Sequence, residues 1–510
     1  MMKLKSLMAI TALTAATILP IAGWAKPLTV AIKDNLTGLD PTNVNDTLSQ
    51  TSLRLVYQGL FGFDEDMKLI PLLAESYDSN EDATEFTIKL RQGIKFHDGT
   101  DFNADAVKVN IERLANPDNG LSRRSLVSMV KEVQIVDDLT VKLVLDEPFG
   151  AMIASLAHPG AMMISPAALE KYGKDIDRNP IGTGPFVFKN WAADTLEVVR
   201  NEDYWKDGLP KVEGITIRSV PESGARFAML QTGEAQFVPG FPPELLEAAK
   251  KNPALTVEAT DSIVEYYVAL NNTKEPFDDV RVRQALNYAV DKEAYCKIAF
   301  SGLCKPADSI IPEMLAFHVP AGDYAYDPDK AKELLKEAGL EDGFQAELWA
   351  VSNTENLRAA QFIQQQLAPI GVEVEVVPLE AGVATQRIWS VDTPEDAEVQ
   401  MYYGGWSSST GDADWGIRPL LYGESFPPAM FNVAYYNDPE VDSAIEGALG
   451  TSDPEKRGEF YADAQKLAWE GAPWIFLGTA QNISAQSNTV TGVHMLPDRG
   501  FLLEEAEFTE

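Results

Sequence analysis

Residues 357–379 read LRAAQFIQQQLAPIGVEVEVVPL, and the pattern changes period in the middle. The first part has helical character and is ended by Pro369 and Gly371. After it, Val372, Val374 and Val376 alternate as in a strand. A helix passing directly into a strand belongs to a layered αβ arrangement, because each element must bury its apolar side against the other. This passage constrains the fold more than any other stretch and predicts an αβ lobe in the second half, distinct from the first. Neighbouring segments agree. DDVRVRQALNYAVDKEAY, residues 278–295, places Val282, Ala285, Leu286, Ala289 and Val290 at helical spacing behind Asp278 or Asp279 as cap. DPDKAKELLKEAGL has Asp327 as N-cap, Pro328 at the first helical position, an apolar face of Ala331, Leu334, Leu335 and Ala338, and Gly339 as the stop. In the first half, TEFTIKLRQGIKF alternates Phe86, Ile88 and Leu90, and TVKLVL alternates Val141, Leu143 and Leu145. The fold class expected is α/β.

The first 27 residues, MMKLKSLMAITALTAATILPIAGWAKP, put Lys3 and Lys5 before an apolar run from Ser6 to Ile21, with Gly23 and Ala25 at small-residue positions. That is the pattern of a secretory signal peptide over residues 1–25, too short and wrongly flanked for a membrane span. No Cys lies near the expected cut, so no lipid attachment is expected there. Export to a bacterial periplasm follows. Losing Lys3 and Lys5 takes the formal charge from −35 to −37. So acidic a chain is not built for nucleic acid or an anionic membrane surface, and an anionic ligand would need local arginines. Cys296 and Cys304 are close in sequence, and in an oxidising compartment they are expected as a disulfide, with free thiols as the alternative.

The rival class is an exported hydrolase, which would need a catalytic constellation. His97, His158, His318 and His494 are scattered, with no HExxH and no close metal-ligand pair. No G-x-S-x-G elbow occurs. SMVK, residues 128–131, lacks its S-D-N and K-T-G partners. IGTGPF lacks the third glycine of a dinucleotide fingerprint. Among 77 acidic residues nothing singles out a glycosidase pair. No catalytic residue, metal or cofactor is expected.

Several long segments resemble the solute-binding proteins of peptide-type ABC importers. They are LLAESYDSNEDATEFTIKLRQGIKFHDGTDFNADAVKVNIERL, NPIGTGPFVFKNW, NEDYWKDGLPKVEGI, PFDDVRVRQALNYAVDK and YDPDKAKELLKEAG. The resemblance implies a two-lobed periplasmic clamshell. Lobe I would comprise residues 26–268 plus 482–510, with an extra subdomain inserted at about 55–185. Lobe II would be residues 269–481, and the hinge crossings would lie near YYVALNN and TAQNISA. It implies no enzymatic activity, a peptide-like ligand, an ABC permease at the inner membrane as partner, and a monomer.

In peptide binders of that family the residue three after the tryptophan of GGWSSSTGDADW is an aspartate that pairs with the ligand's amino group; here it is Ser409. VNDTLSQ, VYQGLFGFDEDMKL, AHPGAMMISPAALEKYGK and MLQTGEAQF, together with that loop, are similar to the members that take glutathione. On this resemblance Trp406 is a packing wall, and Ser407 and Ser409 are donors. Asp412 or Asp414 accepts from the ammonium, with a turn cap as the alternative for Asp412. Asp46 and Thr47 face the cleft, or Asp46 caps a helix. Arg387, after EAGVATQ, is the candidate for a ligand carboxylate, with an ordinary surface arginine as the alternative, and Arg358 is a weaker second candidate. Di- or oligopeptide, nickel-chelate or haem binding remain the alternatives within the family.

Overall fold

The computed structural model describes residues 27–509; the expected signal peptide lies outside them. Eleven strands form the main sheet: β1 (Leu28–Ile32), β2 (Phe186–Ala192), β3 (Thr195–Arg200), β4 (Gly214–Ser219), β5 (Phe237–Pro239), β6 (Leu255–Leu270), β7 (Cys304–Pro306), β8 (Phe344–Val351), β9 (Val372–Leu379), β10 (Met401–Ser407) and β11 (Trp474–Ser487). Their order is β9-β8-β10-β6-β11-β5-β1-β4-β3-β2, with β7 also paired to β11.

The long strands β6 and β11 are antiparallel and carry the chain between the two halves. Residues 255–261 pair with 481–487 beside β5 and β1, whereas residues 265–269 pair with 474–479 beside β10. The register breaks between Asp261 and Glu265 and again between Tyr266 and Tyr267. Such irregularities increase local twist, so this is where the sheet turns from one lobe to the other.

The period change at Pro369 and Gly371 is real. Helix Thr354–Leu367 ends in a short 3-10 turn, Gly371 adopts φ 85°, and β9 follows, parallel to β8. The single helix expected after Asp279 is instead two. Asp279 caps Val280–Tyr288, and the Asp291 side chain accepts from Ala294 N–H to start Lys292–Phe300. A second Asx cap competes with helix continuation there. Val282, Ala285, Leu286, Ala289 and Val290 are nevertheless all fully buried, so the apolar pattern located the core correctly. Cys296 and Cys304 form a disulfide that ties the second of these helices to β7.

Between β1 and β2 lies a separate four-stranded antiparallel sheet, ordered 74–79, 85–90, 140–145, 130–137. Phe86, Ile88, Leu90, Val141, Leu143 and Leu145 face inward from it, as their alternation predicts. Its apolar face joins a cluster that continues into helices Pro439–Leu449 and Pro454–Gly471 through Ala444, Ile445, Tyr461 and Ala464. Gly150 N–H donates to the Leu449 carbonyl at 2.9 Å. A Cβ at Gly150 would stand 2.4 Å from the Thr451 carbonyl oxygen, so the two halves approach here only because residue 150 is glycine. No described helix is long and apolar enough to cross a membrane.

Candidate functional site

The loop after β10 sits where the halves face each other. Trp406 pairs with Glu265 and Ser407 with Val264 on β6, after which the chain leaves the sheet. Gly411 (φ 66°) turns it; a Cβ there would stand 2.7 Å from the Phe63 ring of the first half. Asp412 then caps helix Ala413–Leu421 by accepting from Asp414 N–H at 2.9 Å.

Both carboxylates of this loop are committed to internal partners. Asp412 is bidentate to Arg457, at 2.9 and 3.0 Å, with side chains 6% and 8% exposed. Asp414 is bidentate to Arg418, at 2.8 Å for each bond. Burial alone would weaken the charge on both arginines, but the paired aspartates outweigh it and raise both. The turn-cap reading of Asp412 is therefore the one the geometry gives, and both aspartates are buried and already charge-paired with a guanidinium.

Ser409 is bonded across the cleft. Its Oγ lies 3.0 Å from His158 Nε2, while His158 Nδ1 accepts from Gly160 N–H at 2.8 Å. With Nδ1 an acceptor, the proton of a neutral ring must reside on Nε2, which then donates to Ser409. Burial, reinforced by Arg123 and Arg54, holds His158 well below the usual imidazole range and so keeps it neutral. Ser409 thus accepts from one lobe and has its own O–H left to donate.

Arg123, not singled out in the sequence, belongs to the same constellation. Its Nε donates to the Val44 carbonyl at 3.0 Å, and among the described residues its guanidinium has no carboxylate partner. Burial pulls it down to about 10, against the pull of Asp46. Asp46 itself is the N-cap of helix Thr47–Leu53, accepting from Ser49 N–H at 2.8 Å and from the Thr37 hydroxyl. Thr47 is the first residue of that helix and half-buried. Trp406 is half-buried: its Nε1 donates to the Trp415 carbonyl at 2.6 Å and its ring leans on Phe431, centroids 5.1 Å apart. Ser407 is half-buried and its carbonyl accepts from Ser409 N–H at 2.9 Å.

The other two arginines are not brought to this loop. Arg387 is paired with Glu398 and lies 4.2 Å over the Trp349 ring, with 40% of its side chain exposed. Arg358 is exposed on helix Thr354–Leu367, which packs on β8 and β9 at the outer edge of the sheet.

Two α/β lobes joined by paired crossing strands, with a hydroxyl-rich loop and an unneutralised arginine between them, define a solute-binding clamshell. The chain belongs to the bacterial extracellular solute-binding proteins, family 5, whose middle region matches residues 68–427. It is therefore a binder by family, not an enzyme. It is 47% identical to the glutathione-binding protein GsiB of Pectobacterium atrosepticum over 499 residues, covering 98% of this chain and 97% of that one. The Salmonella typhimurium protein of the same name is 45% identical, covering 95% and 94%. Among solved structures, HbpA2 from Haemophilus parasuis superposes with a TM-score of 0.84 at 28% identity, covering 95% of this chain and all of that one. DppA from Helicobacter pylori, in complex with peptide STSA, gives 0.79 at 26% identity, covering 96% and 99%.

Proposed function

We propose that this protein, exported to the periplasm and freed from its leader after Ala25, captures glutathione or a close γ-glutamyl peptide and delivers it as a monomer to an ABC permease. The ligand lies between lobe I, residues 26–268 and 482–510 with the unit at about 55–185 inserted, and lobe II, residues 269–481. Contacts to both lobes favour the closed state, because only differential affinity moves such an equilibrium. One observation carries the reading. The position three after Trp406 is a serine hydroxyl fed by a neutral histidine, whose charge environment includes Arg123, a guanidinium with no carboxylate bonded to it among the described residues. Glutathione presents two carboxylates and one amine, so it suits hydroxyl and guanidinium donors better than a lone aspartate would. Arg123 is the carboxylate partner in this reading, in place of Arg387 and Arg358. The full-length similarity to glutathione-binding proteins supports the same ligand.

The test is mass spectrometry of what the exported protein releases on denaturation. Recovered glutathione, lost in Arg123→Ala, is expected. A mixture of ordinary dipeptides with no glutathione would reject the reading.

A further inference from the structure

A cavity of about 130 Å³ opens beside the point where β6 and β11 cross between the lobes. Asp261, Glu265, Asp308 and Glu313 line it, against the single ammonium of Lys305. Three of these carboxylates have cationic or imidazole partners. Lys305 bonds Asp261 at 2.6 Å and Glu313 at 3.3 Å, and His318 bonds Asp308 at 3.1 Å. Glu265 does not. Its Oε2 accepts from the Thr479 hydroxyl at 2.6 Å, but its Oε1 is buried without a partner. Among the described residues no other carboxylate oxygen is left so. Glu265 is 6% exposed and lies directly opposite Trp406 in the sheet, one strand from the Ser409 loop. Buried polar atoms are nearly always satisfied, so an unpartnered carboxyl oxygen on a side chain that lines a hinge cavity points to a donor that arrives and is met by a turn of the carboxyl group toward the cavity. Among the described residues no three His, Cys, Asp or Glu side chains converge to hold a metal ion. A primary ammonium, with three N–H donors on one small cationic head, fits the space and the charge.

We propose that this cavity is an ammonium subsite in which Glu265 accepts from the primary amine of the captured solute. In naming the solute's amine the proposal rests on the functional reading above; the cavity's preference for a primary ammonium stands apart from it. The subsite supplies the acceptor that Asp412 and Asp414, both held by arginines, do not. Burial raises Glu265 to about 8; Asp308 adds to the rise, while the Thr479 bond and Lys292 oppose it. Tyr267 and Tyr295 are the other titratable side chains coupled to it, and Asp261, Lys305 and Glu313 share its cavity. At pH 7 the carboxyl is therefore mostly protonated. When R–NH3+ enters, the ionised form is favoured and the carboxyl proton passes to the buffer, leaving an ammonium–carboxylate pair.

The experiment is calorimetry at pH 7 in two buffers of different ionisation enthalpy, with ligand-free wild type and Glu265→Gln. The probes are glutathione and its deaminated analogue. A parallel thermal-unfolding series uses methylammonium chloride against sodium chloride at equal ionic strength. Wild type should release close to one proton per glutathione, and E265Q none. E265Q should bind glutathione at least tenfold more weakly, yet match wild type for the deaminated analogue. Methylammonium should stabilise wild type but not E265Q. If both proteins bind glutathione equally and neither releases a proton, the subsite is refuted while glutathione capture stands. If wild type ignores glutathione, that capture fails, and methylammonium decides the subsite: a Glu265-dependent shift sustains it, and identical curves overturn it.

Discussion

Replacing Asp412 by alanine separates a structural carboxylate from a ligand-binding one. The side chain is 6% exposed and holds Arg457, itself 8% exposed, through two bonds of 2.9 and 3.0 Å. Removing one partner of such a pair strands a buried charge, at a cost of about 3–5 kcal/mol. Loss of the N-cap on helix Ala413–Leu421 adds about 1 kcal/mol. With an unfolding entropy of about 2.1 cal/mol/K per residue, a chain of this size unfolding in one transition would lose roughly 4–6 °C in Tm. The double variant Asp412→Ala/Arg457→Leu should recover most of the charge penalty, since replacing both partners leaves no bare ion. Urea or thermal unfolding followed by tryptophan fluorescence reads the stability, and titration at 10 °C reads glutathione binding, expected near wild type. An Asp412→Ala protein as stable as wild type but unable to bind would refute the reasoning. The carboxylate would then be a ligand group after all.

Other substitutions test the cleft itself. Arg123→Ala should weaken glutathione binding by about 1.5–3 kcal/mol, the worth of a hydrogen bond to a charged group, with little change in Tm; calorimetry measures it. Ser409→Asp sets a carboxylate on the His158 donor and near Arg123, so competition titration should show at least a tenfold loss for glutathione. Cys296→Ser/Cys304→Ser should cost about 2–3 kcal/mol by loss of the short-loop constraint, with binding retained. Stability should fall on both sides of an optimum. Glu265, raised to about 8, holds its proton more firmly folded than unfolded, so its contribution to stability declines as pH rises from its ordinary carboxylate value of about 4.5 through 8. His158, lowered when folded, makes the unfolded chain the better proton acceptor below about 6.5; this slope opposes that of Glu265 down to about 4.5, and net stability declines below that. Unfolding free energies from about pH 4 to 9 check this: wild type should be level from about 4.5 to 6.5 and decline from there toward 8, and Glu265→Gln should remove the alkaline decline and unmask the His158 decline below about 6.5.

The fold was readable in the sequence wherever one residue type sets a local outcome. Gly371 ends a helix by its positive φ, Asp327 caps one, and alternation at Phe86, Ile88 and Leu90 gives the buried face of a strand. The break at Asp291 is not legible in the apolar pattern, because that spacing runs on through Ala289 and Val290 while a side-chain cap interrupts the backbone. The site was less legible, because its partners come from one turn along a helix, from 45 residues on and from 251 residues away, and only the first of these lies within reach of a local pattern. Asp412 and Asp414 look available in sequence, yet their arginines come from positions 457 and 418. Nothing in the local pattern marks Arg123, and it is the fold that sets its Nε on the Val44 carbonyl with no carboxylate partner among the described residues. His158 stands alone in sequence, and its bond to Ser409 spans 251 residues. Arg387 has the composition of an anion site, but Glu398 already occupies it.

The most direct test is calorimetric titration of the refolded, ligand-free protein with glutathione, beside an alanyl dipeptide. Refolding removes any ligand carried through purification. Saturable one-to-one heat with glutathione, none with the dipeptide, and a clear loss of affinity in Ser409→Asp are expected if the hydroxyl loop and Arg123 form the glutathione site. One-to-one binding of the dipeptide with no response to glutathione would contradict it and make this cleft an ordinary peptide site.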